Sequence, residues 1–101
     1  MERDDVIAAL RAHERELRTA GVESVSLFGS VARGEHPADD VDLAVRLGEG
    51  FSAPGLNYFS RLSDLGGWLS GILGCNVDVI EEPVRKERFQ TEIDRDRAIA
   101  F

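Results

Sequence analysis

Cysteine occurs once, at Cys75. A single thiol cannot close an internal disulfide and has no second cysteine with which to build a metal site. It therefore reads as a small buried or half-buried side chain, and a reducing cytoplasm is the expected compartment. No apolar run approaches the roughly 20 residues that a bilayer-spanning helix needs. The opening stretch MERDDVIAALRAHERELR is too charged for a secretory leader. No membrane partner is expected. Positive charge is also scarce: 12 Lys and Arg stand against 19 Asp and Glu, a net charge of −7. The basic residues are interleaved with acids (RAHERELR, VRKERF, DRDRA) rather than gathered in a stripe, so direct nucleic-acid binding is not expected. Internal repeats and low-complexity tracts are missing too. What is present, in 101 residues of which 43% are hydrophobic, reads as one domain over 1–101 with a single modest core.

Hydrophobic periodicity places the elements. Val6, Ile7, Leu10 and Leu17 recur at helical spacing, predicting one helix from Arg3 to about Ala20 that Gly21 stops. Residues 23–28 (ESVSLF) alternate as a strand, with Val25 and Leu27 on one face and Ser24, Ser26 and Phe28 on the other. Gly29-Ser30 breaks it, VAR forms a short helical turn, and EHPAD is a loop. A second strand over Asp40–Leu47 turns Val41, Leu43, Val45 and Leu47 one way and Asp40, Asp42, Ala44 and Arg46 the other. After the loop GEGFSAPG, a helix from Leu56 to Leu73 carries an apolar stripe of Phe59, Leu62, Leu65, Leu69, Ile72 and Leu73. The Gly66-Gly67 pair within it weakens the helix by up to about 1 kcal/mol per glycine, which points to close packing against a neighbour. A third strand, Asn76–Ile80, sets Val77 and Val79 against Asp78. Pro83 opens a last helix, Val84 to about Ala98, with Phe89 and Ile93 inward. The fold class is thus α+β, a small mixed β-sheet with helices packed mainly on one face. Asp40, Asp42 and Asp78 gather on the face left uncovered.

The stretch SLFGSVARGEHPADDVDLAV, residues 26–45, carries the chemistry. Acid inside a strand is costly unless a cation meets it. Two aspartates two residues apart share a face, some 6–7 Å apart. Rigidly held carboxylate oxygens suit Mg²⁺, which takes its remaining ligands from water and substrate phosphates. Asp78 on a neighbouring strand either completes a two-metal arrangement or receives the proton of an attacking hydroxyl. Gly29 lets backbone approach a ligand, exposed N–H groups of the next turn form an anion-binding concavity, and the Ser30 hydroxyl adds a hydrogen bond. Arg33, one turn on, offers charge to phosphate. A phosphate cradle beside metal-binding carboxylates points to nucleotidyl transfer from a nucleoside triphosphate.

The pattern Gly29-Ser30, nine residues, Asp40-Val-Asp42, flanked by apolar strand, resembles the nucleotidyltransferase superfamily that includes the DNA polymerase β palm. FGSVARGEHPADDVDLAV is most similar to the minimal nucleotidyltransferases (MNT), over nearly the whole chain. That resemblance implies Mg²⁺-dependent transfer of a nucleoside monophosphate, usually AMP from ATP. It puts Gly29 and Ser30 at the triphosphate, Asp40 and Asp42 on the metal, and Asp78 as the third acid. It also implies a partner, a HEPN-domain toxin encoded nearby and modified on tyrosine, with this chain as antitoxin. Two departures stand out: Asp39 occupies the usual serine position, and the loop before Asp40 is short.

Two other functions compete. One is a non-catalytic module that neutralises its partner by complex formation. The other is nucleotidyl transfer to a small molecule, which at this length lacks a domain to hold the acceptor. Elsewhere, Arg46 is expected in a cross-strand ion pair, His36 as a solvated loop side chain, and Trp68 and Tyr58 in packing. The mixed-sign run at residues 85–88 reads as surface.

Overall fold

Two antiparallel pairings and one parallel pairing build the sheet at the centre of the computed structural model, which describes residues 2–35, 40–51 and 58–101. Helices α1 (Arg3–Ala12) and α2 (Glu14–Thr19) lead into β1 (Val22–Phe28). A short α3 (Gly29–Ala32) precedes β2 (Asp40–Leu47). Beyond a 3-10 turn at Glu49–Phe51 come α4 (Tyr58–Leu73), β3 (Asn76–Glu81), α5 (Glu87–Asp96) and β4 (Ala98–Ile99). The strand order is β3-β2-β1-β4, with β2 and β3 parallel and the rest antiparallel. The expected loop residues 36–39, His36 and Asp39 among them, lie outside the described residues, as do residues 52–57 with the expected start of α4 at Leu56.

Strand alternation puts Val25 and Leu27 of β1 and Val41, Leu43 and Val45 of β2 on one face. There they join Val6, Leu10, Leu17, Leu65, Leu69 and Leu73 from α1, α2 and α4 in the main core. Burying each such side chain contributes about 1.5–3 kcal/mol. The helices are therefore layered mainly on this face, as the alternation predicts. The lone Cys75 is half-buried against the same core. No described helix is long and apolar enough to cross a membrane.

Several local expectations are revised. The first helix is two helices, broken at His13, whose φ of −107° and ψ of 11° are not helical. The His13 ring accounts for the break by hydrogen-bonding the Ala9 carbonyl at 2.9 Å from Nδ1. The last helix starts at Glu87 rather than Val84, because the Val84 N–H donates to the Gln90 side chain at 2.9 Å instead of entering a helix. It also ends at Asp96, after which Arg97 turns extended and Ala98–Ile99 pairs with Leu27 and Ser26 of β1 as an unforeseen fourth strand. Two residues are too few to register as alternation.

The face opposite the main core is only partly open. Helix α5 lies across it, with Ile93 fully buried and Phe89 meeting Phe28 edge to face at 5.9 Å. Phe59, expected in the stripe of α4, is 77% exposed. Trp68 packs against the core, and Tyr58 donates its hydroxyl to Glu81 while meeting Phe51 edge to face. The glycine pair does not mark a tight helix contact. Among the described residues a Cβ on Gly66 would touch only Val79, at an ordinary 3.9 Å, and one on Gly67 would meet nothing within 4 Å.

Candidate active site

The end of β1 delivers the chain into the site. Phe28 is paired across the sheet with Asp42, and the next residue, Gly29, turns the chain into α3 with φ +76°. That left-handed value disfavours any residue with a Cβ. Space disfavours it as well, since a Cβ on Gly29 would sit 2.6 Å from Asp42 Oδ2. Val31 and Ala32 anchor α3 in the core and leave Ser30 partly exposed. The first-turn N–H groups of α3 have no partner within the helix. Gly29 is thus the floor on which the Asp42 carboxylate rests. Gly29→Ala should cost about 1–2 kcal/mol for the backbone conformation alone and push that carboxylate aside. Thermal melting should show it, at about 4–8 °C per kcal/mol for a chain this size.

The parallel register of β2 and β3 sets Asp42 beside Asp78 and Asp40 beside Asn76. All three aspartates share the face across from the main core. Asp42 is half-buried, whereas Asp40 and Asp78 are exposed. Burial pushes the Asp42 carboxyl above its ordinary value, and the charges of Asp78 and then Asp40 add to the rise. Among the described residues no cationic side chain forms an ion pair with these three. An unneutralised group of hard oxygen donors suits Mg²⁺ chemically. As they stand, however, no three acidic, His or Cys side chains among the described residues close into a set able to hold an ion by themselves. The donor set fits a cation that takes its other ligands from water and triphosphate.

Arg33 is committed elsewhere. Its Nε donates to Glu35 at 2.8 Å and its Nη1 to Asp96 at 2.7 Å. Reaching a phosphate would mean leaving both. Arg46 has no ion pair among the described residues, contrary to expectation, because the acids it faces, Glu82 and Asp94, are engaged by Arg97. That Arg97 cluster is the feature sequence reasoning missed. Arg97 donates to Glu82, to Ser26 Oγ at 2.9 Å and to Asp94 at 2.7 Å, and Gln90 donates to Glu82 at 2.8 Å. The network ties α5 to β1 and to the end of β3 on the aspartate face. The only hint in the sequence is the i, i+3 spacing of Asp94 and Arg97, which a solvated helix shows equally well.

A family model described as a nucleotidyltransferase domain matches residues 10–100. The chain is 37% identical over 79 residues to the protein adenylyltransferase MntA of Thermococcus cleftensis, covering 76% of this chain and 74% of that one. A solved structure assigned as a minimal nucleotidyltransferase superposes with a TM-score of 0.74 at 30% identity, over 97% of this chain and 95% of that chain. A chain from the complex of a tri-AMPylated Shewanella oneidensis HEPN toxin with an MNT antitoxin shares the fold, with a TM-score of 0.63 at 18% identity over 93% of this chain and 70% of that chain.

Proposed function

This chain belongs to the nucleotidyltransferase domain family, and from that premise we propose that it transfers AMP from ATP to a tyrosine hydroxyl of a HEPN-domain toxin, acting as the antitoxin in the cytoplasm. The observation that carries the reading is the side-by-side register of Asp42 and Asp78 against the bare Cα of Gly29. The names of the relatives support the chemistry, being a protein adenylyltransferase and an MNT antitoxin complexed with an AMPylated HEPN toxin.

In this reading Gly29 and Ser30 receive the triphosphate, through first-turn N–H groups and the serine hydroxyl. Arg33 adds its charge once released from Glu35 and Asp96. Asp40 and Asp42 would hold Mg²⁺, which when bound neutralises charge on the triphosphate and on departing pyrophosphate. The acceptor oxygen attacks the α-phosphorus, the bond to the β-phosphate oxygen breaks, and pyrophosphate leaves. Asp78, the exposed acid, accepts the proton from the attacking hydroxyl.

Nucleotide binding gives the first check. ATP with Mg²⁺ at about 100 times its dissociation constant should stabilise the fold by about 2.7 kcal/mol, raising Tm by about 10 °C or more. Neither component alone should do so. Intact-mass measurement of the cognate HEPN-domain protein after incubation should then show added AMP. Full neutralisation of the toxin without nucleotide, and with no mass gain, would favour a purely binding antitoxin.

A further inference from the structure

β3 is an edge strand: among the described residues its one partner is β2. Its other side carries backbone N–H and C=O groups available to a further strand. Alongside it runs a groove of about 540 Å³, to which α4 turns Ser63, Gly66, Gly67 and Ser70 and β3 turns Val77 and Val79. The groove reaches Asp78, the acid that takes the acceptor proton in the reaction above. The two glycines are the informative residues. Glycine weakens a helix relative to alanine, and nothing among the described residues calls for it here, since none of them lies within 4 Å of a Gly67 Cβ and a Gly66 Cβ meets ordinary contact with Val79.

We propose that the groove between the edge of β3 and α4 seats an extended segment of the acceptor protein, which pairs with β3 as an added strand and brings its hydroxyl side chain to Asp78. This rests on the adenylyl-transfer reading and gives that reaction an acceptor site. Side chains alternate along a strand. The residue opposite Asp78 therefore projects onto the aspartate face, while its two neighbours drop into the space over Gly66 and Gly67. Recognition of this kind takes affinity from main-chain hydrogen bonds and selectivity from the pockets for alternate side chains. Charge selects the occupant. Asp78 is the sole charged residue among those lining the groove, Glu81 follows on the same strand, and the chain carries a net −7. A neutral or basic segment fits. A second copy fits less well, because it would bring another net charge of −7 to the same edge.

The test fills the groove. Gly67→Leu places a side chain in it with no described residue within 4 Å of its Cβ, and Gly71→Leu, on the same helix with an equally open Cβ position among the described residues, lies outside the lining and serves as control. Binding of each to the cognate HEPN-domain toxin is measured by titration, with melting temperature as the check on folding and transfer of AMP scored separately. Gly67→Leu should bind about tenfold more weakly or worse, with Tm kept or raised, while Gly71→Leu binds as wild type does. Equal affinity of Gly67→Leu and wild type, or no complex with wild type, overturns the proposal. So does a wild-type homodimer in sedimentation that Gly67→Leu dissolves, which would put a second copy in the groove. If wild type binds through the groove but transfers no AMP, the enzymatic reading falls while the docking site stands.

Discussion

Asp42→Asn should slow nucleotidyl transfer by about 10²–10³-fold and yet leave the folded protein harder to unfold at neutral pH. The two effects have one cause. The carboxylate lies partly buried against Gly29, with Asp78 on the neighbouring strand and Asp40 two residues back. Burial first, and then those like charges, raise its pKa in the folded state. A carboxyl whose folded pKa exceeds its unfolded one is destabilising wherever it is ionised. Stability should therefore climb as pH falls through the raised folded value, level off below the unfolded one, and stand lower above both. Asparagine keeps the shape and removes the charge, so the melting temperature at pH 7 should rise and its change between pH 7 and the carboxylate range should flatten. In the proposed reaction the same substitution removes an anionic ligand for the cation. Loss of one such preorganised charge costs about 10²–10³-fold in rate, and Asp40→Asn combined with it should take transfer below detection. Melting curves with and without ATP and Mg²⁺, paired with mass measurement of the acceptor, read both effects. A variant that still labels the acceptor at the wild-type rate would remove Asp42 from the site.

Arg97→Met should bring the protein close to unfolding. Arg97 holds both oxygens of Glu82, whose side chain is fully buried, and also reaches Ser26 and Asp94. Removing the cation leaves a buried carboxylate with Gln90 and the more distant charge of Arg46 to meet it among the described residues, and breaking a buried pair costs about 3–5 kcal/mol. A domain of this kind has about 5–15 kcal/mol in total. Tm should fall by about 15 °C or more. Adding Glu82→Leu to Arg97→Met should recover much of the loss, since replacing both members of a buried pair by apolar residues is often neutral or better. The exposed Asp94 partner adds little.

The pH dependence of that pair has the opposite sign to that of Asp42. Hydrogen bonding from Arg97 outweighs burial and holds the Glu82 carboxyl below its ordinary value. Its contribution is complete above the unfolded glutamate pKa and is lost as pH falls through the depressed folded one. Urea unfolding in the wild type should therefore weaken in acid, and the double variant should lose that part of the acid sensitivity. An unchanged acid profile in the double variant would place the acid-labile charge elsewhere.

The unevenness of what could be foreseen has a physical basis. Alternation over 40–47 and 76–80 assigns each aspartate to a strand face, because side-chain direction in a strand is a local property with period two. The bounds of β2 and the choice of Gly29 as a turn follow from equally local chemistry. His13 defeated the helix reading because a ring-to-carbonyl bond outweighed a continuous apolar period. Ala98–Ile99 was invisible because two residues carry no period, and the pair is a strand only by virtue of β1 beside it.

Charge partners were least legible. Arg33 and Asp96 are 63 residues apart, and Arg97 and Ser26 are 71 apart; their sequence neighbourhoods hold several equivalent acids and bases. Coulomb attraction has no memory of chain distance, so which acid meets which base is settled by how helices dock. Gly66 and Gly67 show the same division. Their cost to a helix is read from residue type, whereas the open space beside them follows from the place of β3 as the last described strand on that side. Composition and period thus established the class of fold, the faces and the identity of the acids. The alignment of β2 with β3 brought Asp42 beside Asp78, for register is chosen by the summed packing of whole strands and not by the two residues it unites.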